Sequence, residues 1–164
     1  MGHDPSLATA IRRIAAPNNV WTMQEAPLKL LAEALRRLPR GNVSDEERRY
    51  PTTPQGMRAF LDGFFARHFF QIQDSLVEYF ASPIFEAVAQ RGHIHVADVG
   101  SGPSVASLAI ADLASAAIAT LRQAGRLRGS GRLTVHVTLN DTSEICLDEG
   151  RIPGVSPKRE GLLP

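Results

Sequence analysis

Residues 93–104 decide the fold of this chain, and they read His93-Ile94-His95-Val96-Ala97-Asp98-Val99-Gly100-Ser101-Gly102-Pro103-Ser104. The first seven are mostly apolar and β-branched, which predicts a strand, and the glycines that follow predict a turn. Further along, the sequence predicts an apolar helix at 104–123, a second strand at 132–139 and a helix at 144–149. This order of strand, helix, strand and helix predicts a βαβ unit, so we expect an α/β fold with a parallel sheet.

Ahead of this unit the sequence predicts only helices, at 5–15, 24–38, 54–80 and 83–90. Thr53-Pro54 and Ser82-Pro83 each place a capping residue before a proline at the first helical position, which predicts two of the helix starts. The polar segment 41–55 is interpreted as a linker or loop. We therefore expect an N-terminal helical segment and linker (1–50), helices that cap the α/β fold (51–92) and the α/β part itself (93–164).

The predicted helix at 54–80 is strongly aromatic, with phenylalanine at 60, 64, 65, 69, 70 and 80. Its apolar residues repeat every three or four positions, which predicts a core helix that packs on the sheet. A membrane-surface helix is the alternative. That alternative would normally carry Lys and Arg along the polar face, and here the polar face is mixed.

The composition excludes several classes of protein. The chain has 164 residues and a net charge of +1, from 18 Lys and Arg against 17 Asp and Glu, so it is not a globally basic nucleic-acid binder. Nucleic acid stays open as a partner because Arg122, Arg126, Arg128 and Arg132 lie close together in the sequence. No secretory signal and no apolar run of membrane-spanning length are recognised, so we expect a cytoplasmic protein without a membrane partner.

The histidines and the cysteine predict no metal centre. His93 and His95 share one face of the first strand, and His136 lies on the second, but no third ligand follows at a suggestive spacing. A single cysteine, Cys146, excludes an intramolecular disulfide. Its position on an apolar helix face favours a packing role over a nucleophilic one.

The glycine turn predicts a ligand site, because ligands of open parallel sheets bind beyond the carboxyl ends of the strands. A dinucleotide site requires Gly-x-Gly-x-x-Gly or Ala, whereas counting from Gly100 places Val105 at the sixth position. Asp98, two residues before the first glycine, would also repel a pyrophosphate. The turn therefore favours a ligand without phosphate.

At this point the chain resembles the class I S-adenosylmethionine-dependent methyltransferases. Residues 96–104 are similar to the first motif of that family, apolar-apolar-acid-apolar-Gly-x-Gly-x-Gly, with Ser104 in place of the last glycine. The resemblance implies that Asp98 holds the amino end of the methionine through water. It also implies that the turn residues pass beneath the cofactor: Gly100, Ser101, Gly102 and Pro103.

The second family motif is an acid at the end of the second strand, and Asp141 matches it, with Asn140 as the neighbouring candidate. The resemblance implies that this side chain accepts hydrogen bonds from the ribose hydroxyls. Two simpler roles stay open: Asp98 as the cap of the following turn, and Asp141 as a helix N-cap. Arg67, His68 and Gln71 on the aromatic helix are positioned to reach the cofactor from above.

The family fold has a seven-stranded sheet, whereas this sequence predicts about two strands. We therefore expect a Rossmann-like methyltransferase fold that is incomplete: a cofactor-binding front part, truncated and inactive alone, with unknown catalytic residues and methyl acceptor. A partner chain or self-association would complete the sheet. The alternatives are an NAD(P)-binding fragment of an oxidoreductase and a non-enzymatic helical interaction module.

Overall fold

A computed structural model describes residues 2–127 and 133–149 of the chain. Within these ranges the protein is a mixed α/β structure with eight α-helices and a two-stranded parallel sheet. The helices are α1 (Pro5–Ala15), α2 (Glu25–Arg37), α3 (Asp45–Arg49), α4 (Pro54–Gly63), α5 (Phe65–Phe80), α6 (Pro83–Arg91), α7 (Val105–Gln123) and α8 (Glu144–Glu149). The strands are β1 (His93–Val99) and β2 (Thr134–Asn140), and a short 3-10 helix spans Pro17–Asn19.

The β1–α7–β2 unit confirms the predicted strand, helix and strand. The two strands are parallel and in register from His93 opposite Thr134 to Val99 opposite Asn140. Side chains alternate between the two faces of a strand. On β1, the face that carries Ile94, Val96 and Asp98 is partly or fully buried, whereas His93, His95, Ala97 and Val99 are exposed. The rings of His95 and His136 stack on that exposed face with their centroids 4.7 Å apart.

The predicted helix starts at Thr53 and Ser82 are confirmed. The Gly56 amide donates to Thr53 Oγ1 over 3.1 Å, and the Phe85 amide donates to Ser82 Oγ over 3.3 Å. Each bond satisfies an amide that has no partner inside its own helix. Both starts place a proline at the first helical position, as the sequence predicts.

The prediction of one helix at 54–80 is wrong, because two helices, α4 and α5, meet at Phe64. Phe64 has φ −123° and ψ −23°, which are not helical values. Gly63 is the residue before the break, and glycine is a poor helix former, less favourable than alanine by about 1 kcal/mol. The break allows the aromatic side chains of the two helices to face different neighbours.

The aromatic residues are core residues, as predicted, but they pack mainly on a helix. Phe65 and Phe69 are buried in one cluster with Val105 and Ala109 of α7. In a second cluster, Phe80 of α5 packs with Ile11 of α1 and with the far half of α7. Helix α5 has its largest helix–helix interface with α7, and α7 in turn contacts β1. The expectation that the aromatic helix packs directly on the sheet is therefore corrected: α7 forms the layer beside the strands.

Helix α7, which contains Asp112 and Arg122, is long and apolar enough to cross a membrane by length and composition alone. Its residues are largely buried among α1, α5 and β1. Central helices of compact domains meet the same criterion. The helix is therefore the centre of the core in the described part of the chain.

Candidate functional site

A cavity of about 720 Å³ lies where the strands end and α7 begins. Volumes of 300–1,000 Å³ are typical of small-molecule sites. Its floor is formed by six of the seven predicted site residues: Asp98, Gly100, Ser101, Gly102, Pro103 and Asp141. The seventh, Asn140, is exposed and does not line the cavity.

Asp98 is buried at the end of β1 and bonds to the first turn of α7. Its Oδ2 accepts the amide of Ser107 over 3.2 Å and the hydroxyl of Ser107 over 2.6 Å. The N-terminal turn of a helix carries unpartnered amides and a partial positive charge, so a carboxylate is favourable there. The capping role that was left open for Asp98 is therefore present in the structure, and the residue also lines the cavity.

Asp141 ties the glycine turn to the end of β2. Its Oδ2 accepts the amide of Gly102 over 2.7 Å, and its Oδ1 accepts the amide of Ser143 over 2.8 Å. The second bond forms a turn just before α8, which begins at Glu144, so Ser143 is the residue before the helix and the N-cap role considered for Asp141 is not observed. Each carboxylate oxygen has a second lone pair, so both can accept a further bond from a ligand.

Asn140 contributes its backbone rather than its side chain. Its carbonyl accepts the amides of Gly100 and Ser101 over 2.8 and 3.0 Å. These bonds continue the pairing of β1 and β2 into the turn. The turn is therefore attached to β2 at two points, the carbonyl of Asn140 and the carboxylate of Asp141.

The turn requires left-handed backbone at three positions. Gly100, Gly102 and Ser104 have φ values of 67°, 51° and 60°. Glycine adopts this region at little cost, whereas other residues rarely do. Ser104, the residue that replaces the last glycine of the family motif, thus has the backbone conformation that favours glycine.

The roof of the cavity comes from α5, which contributes His68, Gln71, Ile72 and Ser75. The ring of His68 packs against Phe60 and Phe64, each with centroids 5.9 Å away. Of the three residues expected to reach over the site, His68 and Gln71 line it, whereas Arg67 is exposed and does not.

The side wall is formed by Arg49, Tyr50, Pro51 and Thr52, a segment that the sequence interpretation missed. That interpretation, a linker or loop at 41–55, is wrong for 45–49, which form α3. The overlooked signal is Ser44 followed three residues later by Glu47, a pattern typical of a helix start. Ser44 Oγ accepts the Glu47 amide over 3.1 Å.

Glu47 then holds the side wall in place. Its carboxylate accepts the amides and hydroxyls of both Thr52 and Thr53, over 2.6–2.8 Å. The hydroxyl of Thr53 is the main cause that lowers the pKa of Glu47 to about 2. Gly56 is necessary for this arrangement, because a Cβ there would lie 2.1 Å from Glu47 Oε1.

We expect Glu47→Ala to loosen the side wall, because the amides of Thr52 and Thr53 lose their acceptor. Hydrogen exchange at these two amides should rise by about tenfold or more at neutral pH. Because the pKa of Glu47 is lowered in the folded protein, its contribution is complete above about pH 4.5 and is lost as the pH falls toward 2. The wild-type protein should therefore approach the variant in acid.

Two further variants test this interpretation of Glu47. Gly56→Ala displaces the same carboxylate and should also speed exchange at Thr52 and Thr53. Glu46→Ala removes an exposed neighbouring acid and should leave the exchange unchanged. Equal exchange in wild type and Glu47→Ala would show that the wall is held by other contacts.

Two other sequence hypotheses have structural outcomes. Cys146 is buried, and burial raises the pKa of its thiol, so the predicted packing role is confirmed.

Arg126 pairs with Asp4 over 2.7 Å and with Glu86 over 2.5 Å, which joins the start of α1, α6 and the end of α7. Arg128 and Arg132 lie outside the described residues. Among the described residues, no three His, Cys, Asp or Glu side chains are arranged to hold a metal ion.

The chain matches no family model, no curated protein and no solved structure at a significant level.

Proposed function

We propose that the cavity binds S-adenosylmethionine and that the chain is the cofactor-binding part of a methyltransferase-like protein. The observation that carries the proposal is the pair of carboxylates at the floor of the cavity. Asp98 and Asp141 line the cavity. Asp98 accepts a hydrogen bond from the Ser107 amide and Asp141 accepts one from the Gly102 amide, so neither amide is free to bind an anionic ligand. The site thus presents negative charge where a dinucleotide site presents free amides.

This arrangement argues against the NAD(P) alternative. A pyrophosphate would need the amides of the turn and of the first turn of α7. The Gly102 amide is bonded to Asp141, and the Ser107 amide is bonded to Asp98. A phosphate would have to displace both carboxylates and would lie close to their charges. A ligand with an ammonium group and a ribose diol would instead be attracted by the two carboxylates, because its charge is positive and its hydroxyls are hydrogen-bond donors.

S-adenosylmethionine, when bound, supplies a methyl group on a positively charged sulfur, which an acceptor nucleophile attacks in line with the carbon–sulfur bond. The residues of this chain would bind and orient it. Asp98 would hold the cationic methionine end, Asp141 would accept hydrogen bonds from the ribose hydroxyls, and Gly100 and Gly102 would allow close approach because they lack a Cβ. The left-handed backbone at Ser104 adds support, because it matches a position that is glycine in the family motif.

The test is calorimetric titration of the full chain with S-adenosylhomocysteine, with NAD as the control ligand. We expect binding of the first and none of the second. Asp98→Asn should weaken binding by about tenfold or more while it keeps an oxygen that accepts from Ser107. The exposed replacement Asp45→Asn should have no effect. Binding of NAD alone would favour the oxidoreductase alternative, and equal affinity of wild type and Asp98→Asn would remove Asp98 from the site.

A further inference from the structure

The interface between α5 and α7 contains a buried polar pair that the proposed function does not use. Gln73 is 0% exposed and Asp112 is 6% exposed. The Nε2 of Gln73 donates to Asp112 Oδ2 over 2.7 Å and to the Ala109 carbonyl over 3.4 Å. Both acceptors lie on α7, so the two bonds fix the orientation of the amide. The remaining oxygen of that amide, Oε1, is also buried.

Two buried oxygens of this pair have no hydrogen-bond partner within the described part of the chain: Gln73 Oε1 and Asp112 Oδ1. A buried polar atom without a partner is costly, and such atoms are rare in folded proteins. An amide oxygen and a carboxylate oxygen are both acceptors, so they cannot satisfy each other. A carboxylic acid differs, because its protonated oxygen is a donor. A single proton on Asp112 therefore provides a partner for both atoms.

We propose that Asp112 carries a proton and donates it to Gln73 Oε1, which closes a two-bond acid–amide pair and makes the joint between α5 and α7 sensitive to pH. One bond is the observed Nε2–H to Oδ2 contact. The other runs from Oδ1–H to Oε1. Loss of the proton removes the second bond and leaves a charge inside the interface.

The electrostatic surroundings of Asp112 support this assignment. Burial raises the pKa of Asp112 and is the largest influence on it. The hydrogen bonds from the side chain of Gln73 and from the backbone of Gln24 lower this pKa, but by less than burial raises it. Within the part of the chain that the structure describes, Arg12 of α1 pairs with Asp74 of α5 and Lys29 of α2 pairs with Glu25, so neither compensates a charge on Asp112.

The other groups around the pair are also engaged or exposed. On β1, Asp98 is bonded to Ser107, and the histidines of both strands are exposed. His68 of α5 packs on phenylalanine rings. The remaining charged side chains of α1, α2 and α5 are exposed.

The two helices that the pair joins also form two walls of the cavity. Helix α5 carries His68, Gln71, Ile72 and Ser75 into the roof, and α7 begins at the floor with Val105 and Ala106. We therefore expect a change at the α5–α7 interface to alter the distance between roof and floor. This inference concerns the chain's own protonation and does not depend on which ligand the cavity takes.

The sign of the pH effect follows from the raised pKa. The folded protein keeps the proton of Asp112 at pH values where the unfolded chain has lost it. Stability therefore falls as the pH rises from the unfolded to the folded pKa, and it then stays low. Asp112→Asn provides a neutral side chain with a donor and an acceptor in the same places, so this variant should lack that fall.

The first experiment is a carbon-13 NMR titration of the aspartate carboxyl groups in the full-length chain, with Asp112→Asn used to identify the Asp112 signal by its absence. We expect the Asp112 signal to shift at a distinctly higher pH than is usual for exposed aspartates. A shift in the ordinary range would overturn the proposal. If the variant fails to fold, sequential assignment of the wild-type backbone identifies the Asp112 carboxyl signal instead, so the titration still decides the question.

The second experiment compares thermal unfolding of wild type, Asp112→Asn and Asp112→Ala from about pH 4, near the ordinary pKa of aspartate, up to about pH 8. The Tm of the wild type should fall relative to that of Asp112→Asn as the pH rises, and Asp112→Ala should be less stable than Asp112→Asn throughout. Hydrogen exchange in α5 and α7 should follow the same order. Parallel pH profiles of wild type and Asp112→Asn would show that the pKa of Asp112 is not raised in the folded protein, and would overturn the proposal.

Discussion

Replacing Phe69 with alanine is expected to lower the free energy of unfolding by about 3–5 kcal/mol. Phe69 is 0% exposed and lies in the cluster that joins α5 to the start of α7. Its ring stacks on Phe65 with centroids 5.8 Å apart and meets Phe70 edge-on at 5.5 Å. Alanine would leave a cavity that these neighbours fill only in part. Such a loss is a large part of the 5–15 kcal/mol that stabilises a typical domain.

Urea denaturation followed by circular dichroism measures this effect, with Tyr79→Ala as the matched control. Tyr79 is an aromatic residue on the same helix but is 37% exposed, so its removal should cost about 1 kcal/mol. The difference between the two variants is informative because helix propensity changes in a similar way in both. If both lost the same free energy, the packing of α5 on α7 would not be the centre of the core.

Asp141→Ala is expected to have the second largest effect, because one side chain holds two loops. It removes the acceptor of the Gly102 amide and of the Ser143 amide. Hydrogen bonds to a charged group contribute about 1.5–3 kcal/mol when buried, and Asp141 is only half-buried, so we expect a loss of about 2 kcal/mol. Affinity for S-adenosylhomocysteine should fall by about tenfold or more.

Asp141→Asn separates the two contributions of this residue. The amide side chain keeps one oxygen and can accept from Gly102 or from Ser143, but not from both as the carboxylate does. Its loss of stability should therefore lie between that of the wild type and that of the alanine variant. Unchanged unfolding in Asp141→Ala would contradict the two hydrogen bonds, whereas normal stability with lost binding would point to a ligand role alone.

Local patterns predicted much of the secondary structure because they depend on neighbouring residues. The strand at 93–99 is β1, and the helix at 104–123 differs from α7 by one residue. Hydrophobic periodicity and the Ser/Thr–Pro caps are local signals of this kind. The failures were also local: the effect of Gly63 on the aromatic helix and the Ser44–Glu47 start of α3 were both visible in the sequence and were underestimated.

The candidate site was predictable only in part. The turn residues and the two acids could be identified from a motif, because strand ends and glycine turns converge at one edge of a parallel sheet. Their partners could not be identified in this way. Asp98 bonds to Ser107, Asp141 bonds to Gly102 at a separation of 39 residues, and Ser143 bonds to the Pro51 carbonyl at a separation of 92.

The sequence by itself determined the order β1, α7, β2 and α8 and the position of the glycine turn, because these follow from backbone conformation and from the spacing of apolar residues. Only the tertiary structure decided that α5 packs on α7, that Glu47 holds the wall of the cavity, and that Gln73 meets Asp112 inside the core. The physical reason is that a buried hydrogen bond depends on which helices pack together, and packing joins residues that no local pattern relates.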